Sequence, residues 1–104
     1  MQTAFNLENY RFFQQLKALP FVTKIILYGS RARGDNSARS DIDLAVETLS
    51  VDRSLWAEVW QIIESADTLL KIYCVHLNLD TARKNDPLYV AILHEGKVLY
   101  RKES

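Results

Sequence analysis

At 104 residues the chain has room for one core and one domain but none for a separate substrate domain, so any second lobe is expected from another chain. Thirteen basic residues balance thirteen acidic ones, and a net charge of zero excludes the basic surface of a nonspecific nucleic-acid binder; DNA is not an expected partner. Composition is that of an ordinary globular protein, no apolar run approaches the roughly 20 residues of a membrane span, and Met1-Gln2-Thr3-Ala4 lacks the form of a signal peptide, so the expected compartment is the cytoplasm.

Asn6 caps a predicted helix over about Leu7–Leu19, with Tyr10, Phe13, Leu16 and Leu19 at helical spacing and Pro20 as its stop. Its expected place is against a sheet, and the Phe12-Phe13 pair leaves open a second use against a partner chain. Val22–Tyr28 reads as the first strand. Ser40–Glu47 reads as the second, with Ile42, Leu44 and Val46 inward and Asp41 and Asp43 on the opposite face. Asp52 caps a helix through about Ser65, whose apolar face is Leu55, Val59, Ile62 and Ile63. Trp56 and Trp60 read as core beside that face, an interface pair being the alternative. Leu69–Leu77 reads as the third strand, in which Cys74 and His76 alternate away from Tyr73 and are structural. The single Cys74 excludes an internal disulfide, and two separated histidines make no zinc pattern. Asp86-Pro87 opens a helix that Gly96 closes at Glu95, and Lys97–Arg101 is a last strand. The alternation predicts an α/β (α+β) fold, a single small domain over residues 1–104 with a mixed β-sheet and helices packed mainly on one side; strand order is not readable from it.

The chemistry lies between the first two strands. Ile25-Ile26-Leu27-Tyr28 runs straight into Gly29-Ser30, a turn that opens a helix and points backbone N–H groups at an anion. After Ser30 come ten residues, then Asp41-Ile42-Asp43, whose two carboxylates share one strand face. Carboxylates that close repel unless a cation separates them, and magnesium, with its preference for hard oxygen and for phosphates, is the natural one. Arg31, Arg33 and Arg39 fall in the same loop, which favours a polyanionic nucleotide over a polymer; a solvated loop is the other reading for Arg33 and Arg39.

Gly-Ser, ten residues and Asp-Ile-Asp, with strands on either side, resembles the minimal nucleotidyltransferases of the DNA polymerase β-like superfamily over nearly the whole chain. The resemblance implies that Gly29, Ser30 and Arg31 hold the triphosphate of ATP or another nucleotide, and that Asp41 and Asp43 are catalytic and hold Mg²⁺. It also implies a third carboxylate on the following strand. Here the matching run is Ile72-Tyr73-Cys74-Val75, with Tyr73 at the acid's position; Asp67 and Asp80 are the nearest carboxylates that a different register would supply.

Small members of this kind resemble antitoxins paired with a separate helical HEPN-type protein. The implied function is transfer of AMP from Mg-ATP to a hydroxyl of that partner. The alternative is a catalytically weak nucleotide-binding protein that restrains the partner by contact, and a weaker third reading is transfer to RNA or a small molecule. Self-association is left open.

Overall fold

The computed structural model describes residues 6–49, 52–78 and 86–103. A 3₁₀ turn, Leu7–Asn9, precedes α1 (Arg11–Ala18); then come β1 (Val22–Tyr28), α2 (Ser30–Arg33), β2 (Ile42–Thr48), α3 (Arg53–Glu64), β3 (Ile72–Asn78), α4 (Pro87–Glu95) and β4 (Lys97–Arg101). The four strands form one mixed sheet in the order β3-β2-β1-β4. β1 pairs antiparallel with β2 and with β4, whereas β2 and β3 are parallel and need the α3 crossover between them.

Central β1 is covered on both faces, which is why Ile25, Ile26 and Leu27 are all buried in succession rather than alternating. The larger core lies on one face, where Phe12, Phe13 and Leu16 of α1 and Val59 and Ile63 of α3 meet Ile25, Leu27, Ile42, Leu44 and Val46. A smaller cluster of Ile26, Ala45, Leu77 and Ile92 sits under α4 on the other face. Gly96 lets α4 end against β1, since a Cβ there would run into the Ile92 carbonyl oxygen and an Ile26 methyl.

Several predicted boundaries move. The first helix is broken at Tyr10, whose backbone is extended, and α1 restarts because a distant carboxylate caps it: Asp67 accepts from the N–H groups of Arg11 at 2.9 Å and Phe12 at 3.1 Å. The second strand begins at Ile42 rather than Ser40, and the third at Ile72 rather than Leu69, which stands fully exposed. Asp52 and Asp86 cap their helices as expected, accepting from Leu55 N–H and from Leu88 and Tyr89 N–H.

The cap makes a pH prediction. Hydrogen bonds from Arg11 and then Phe12 hold the Asp67 carboxyl below the usual range, so its stabilisation is present above the ordinary carboxylate pKa of about 3.9 and is lost as pH falls through the folded value. Asp67→Ala is expected to lower the urea midpoint at pH 7, and the gap from the parent should close progressively in acid. A gap independent of pH would remove the charged cap from the account.

Candidate functional site

β1 delivers Gly29 in a conformation, φ 76° and ψ −156°, that side chains other than glycine's rarely adopt. Its carbonyl then accepts from Ala32 and Arg33 N–H at 3.1 and 3.0 Å, which winds the short α2, and Gly34 closes it in a left-handed conformation. Buried Ala32 pins this turn to the core.

The antiparallel register sets Tyr28 opposite Asp43, and so brings the turn against the carboxylate strand. A Cβ built on Gly29 would overlap the Asp43 carboxylate oxygen and lie 3.2 Å from its Cγ. The two halves of the sequence motif are therefore in contact. Their meeting also explains the glycine: it is demanded by the neighbouring acid as well as by the backbone.

The loop between them is tied down by its own polar groups. Arg31 directs its guanidinium at loop carbonyls: Nε donates to Ser40 O at 3.1 Å, and one terminal nitrogen donates to Ser40 O at 2.9 Å and Ala38 O at 3.2 Å. Ser40 Oγ accepts from Ser37 N–H at 2.9 Å, and Ser37 Oγ from Arg39 N–H at 3.2 Å. Arg33 is ion-paired with Asp35 at 3.1 Å and with Glu95 at the end of α4 at 3.0 Å.

Asp41 is exposed just before β2, and Asp43 is half-buried within it. Burial, and next the like charge of Asp41, push the Asp43 carboxyl above its usual pKa, while Arg33 pulls it down. Among the described residues no cluster of three or more His, Cys, Asp or Glu side chains is arranged to hold a metal, so these two acids stand without a third. Parallel register sets Tyr73 beside Asp43 on β3, at the position expected of the third acid. Asp67 caps α1 instead. Asp80 lies outside the described residues.

Two residues join the site that the sequence reading left out of it. Tyr28 and Trp60 line, with Asp43 and Tyr73, an open depression of about 410 Å³. Burial and then Asp43 raise the Tyr28 phenol above its ordinary pKa. Of the two tryptophans, Trp56 packs and stacks on His76, with centroids 4.0 Å apart and planes 14° apart, but Trp60 is 43% exposed and is not core. The available signal for Tyr28 was its place next to Gly29 on an alternating strand. For Trp60 there was none, because helical spacing put it beside Trp56 without saying where the sheet ends. Cys74 is structural as expected, its thiol pushed up to about 12 by burial; burial also lowers His76, whose Nε2 lies 2.7 Å from the Thr48 hydroxyl.

The sequence model of the family described as polymerase beta, nucleotidyltransferase, matches residues 12–104. No curated protein matches in sequence. Among solved structures, the chain is similar to one in a toxin–antitoxin crystal with AMP-PNP, at 25% identity and a TM-score of 0.63, over 88% of this chain and 73% of that one. It is also similar to a chain of a variant MntA-HpeT toxin–antitoxin, at 22% identity and a TM-score of 0.60, over 95% and 75% of the two chains. A third similar chain, at 20% identity and a TM-score of 0.54 over 88% and 66%, is in a complex of tri-AMPylated Shewanella oneidensis HEPN toxin with MNT antitoxin. The last two show a shared fold. The family match runs from α1 through β4 and takes in every element that builds the turn and the carboxylate strand, and on it the chain belongs to the polymerase beta nucleotidyltransferase family.

Proposed function

We propose that the chain transfers AMP from magnesium-bound ATP to a hydroxyl of a separate, helical HEPN-type protein, and so restrains it as the antitoxin half of a two-component module in the cytoplasm. One observation carries this reading: Gly29 and Asp43 are in contact, so phosphates on the turn and a cation on the acids would share one point. The AMP-PNP in one similar toxin–antitoxin structure supports the nucleotide, and the AMPylated HEPN toxin in another supports the acceptor.

Asp41 and Asp43 suit magnesium by their chemistry, being hard oxygen donors; burial first, and then Asp41, disfavours the charge on Asp43, which a cation would offset. Bound there, the ion supplies neutralisation of charge on the leaving pyrophosphate. Gly29 clears space for a phosphate to approach the backbone, and the Ser30 hydroxyl and amide donate to phosphate oxygens. Arg31 serves as a strut, holding the Ala38–Ser40 carbonyls so that Asp41 enters β2 in register. Ser30→Ala is expected to weaken ATP binding by about 1.5–3 kcal/mol, the worth of one hydrogen bond to a charged group. Equal affinities by titration calorimetry would take Ser30 out of the site.

The test is incubation with ATP, magnesium and the product of the neighbouring gene, followed by intact-mass analysis. AMP on the partner, absent with Asp41→Asn, is the expected result. A stable complex without added mass would favour the second reading, restraint by contact. Tyr73 is the observation behind that reading, because a phenol beside Asp43 is a poorer metal ligand than a carboxylate. If Tyr73 limits turnover, Tyr73→Asp should raise transfer by about 10- to 100-fold, the range over which groups around a metal tune activity, with little change in ATP affinity. Unchanged turnover in a folded variant would release Tyr73 from this role.

A further inference from the structure

Asp43 stands between two tyrosines, Tyr28 opposite it on β1 and Tyr73 beside it on β3. The two phenols are not equivalent. Tyr28 is half-buried on a central strand and packs against the Ile26–Ile92 cluster. Tyr73 is on an edge strand, 46% exposed, and shares the open depression with Asp43 and Trp60. Lys71 Nζ lies 4.8 Å from the centre of its ring, so a cation sits over the exposed side chain.

Resting on the nucleotide-binding reading above, we infer that Tyr73 is itself an AMP acceptor, modified in cis by the site of its own chain. The Tyr73 hydroxyl oxygen forms a bond to the α-phosphorus of ATP as the bond from that phosphorus to its bridging oxygen breaks. Pyrophosphate leaves with the electron pair, and the phenolic proton passes to water. The product is a phosphodiester on Tyr73, with its negative charge near Lys71 and its AMP lodged against Asp43. Where a third acid is expected, the chain thus carries a nucleophile. Occupied in this way, the depression excludes a second nucleotide, and the modification switches off further transfer.

The cis geometry follows from the parallel register. Tyr73 and the Asp43 carboxylate share one face of adjacent strands, and no second copy is needed to bring them together. Trp60 of α3 lines the same opening.

The experiment uses the purified full chain alone with ATP and magnesium, read by intact mass and peptide mapping, with α,β-methylene-ATP binding measured in parallel. One AMP per chain is expected, mapped to Tyr73, formed at a first-order rate independent of protein concentration and absent in Tyr73→Phe. That variant should still bind α,β-methylene-ATP, whereas the modified chain should have lost such binding. If α,β-methylene-ATP binds but no adduct forms, or the adduct maps to Tyr28 or persists in Tyr73→Phe, the inference falls and the nucleotide reading stands. A labelling rate that rises with protein concentration overturns the cis reaction. No binding of α,β-methylene-ATP overturns both.

Discussion

Asp43→Asn should cut AMP transfer by about 100- to 1,000-fold and yet make the folded chain more stable at neutral pH. Asp43 is the acid in contact with the glycine turn and the one whose charge the fold disfavours, through burial first and Asp41 second. Asparagine keeps the shape and a carbonyl oxygen but removes half of the paired negative charge that would hold a metal-nucleotide complex. Charge stabilisation of this kind is worth several kcal/mol in a transition state, and at 1.36 kcal/mol per tenfold its loss predicts a fall in transfer on the order of 100- to 1,000-fold. Stability goes the other way. A carboxyl with a raised folded pKa contributes fully below the unfolded pKa of about 3.9, and that contribution is lost as pH rises through the folded value. The variant should therefore gain in urea midpoint at pH 7 and show no gain at pH 3. A variant that is inactive and also less stable at pH 7 would mean that Asp43 serves the fold, not the site.

Gly29→Ala is expected to damage fold and site together. Two separable costs meet there. The backbone at φ 76° and ψ −156° lies in a region almost confined to glycine, where a side chain costs about 1–3 kcal/mol. The new Cβ also collides with the Asp43 carboxylate, so either β2 shifts or the acid turns away. Gly34→Ala is the control, because its φ of 86° carries strain but nothing lies within 4 Å of the added Cβ. Its loss should be near 1 kcal/mol, with ATP binding retained. Placing Gly29→Ala in an Asp43→Ala background separates the terms, since removing the carboxylate removes the collision and leaves the backbone strain. The penalty for Gly29→Ala should then be smaller than in the parent, a coupling expected only of residues in contact. Equal penalties in both backgrounds would show that the collision is relieved at no cost.

How far the sequence could be read depended on how local the cause was. Asp52 and Asp86 bond amides two or three residues ahead, and their helices begin where expected. Asp67 bonds amides more than fifty residues behind it, so local spacing does not show its cap or separate α1 from the preceding turn. Folding brings the Ala38 and Ser40 carbonyls within reach of Arg31, contacts that its place in a cationic loop does not announce. Trp60 and Trp56 repeat at one helical interval, but Trp56 stacks on His76 while Trp60 is exposed.

The strand, the glycine turn and the two acids one residue apart were legible in the sequence, because each follows from spacing along a strand or from the identity of a single residue. Strand order and register were decided only in three dimensions, where hydrogen-bonded pairing of distant segments sets Tyr28, Asp43 and Tyr73 in one row across the sheet. That row sets the glycine turn against the strand that carries Asp43. It also converts Tyr73 from the absence of a carboxylate into the presence of a hydroxyl beside one.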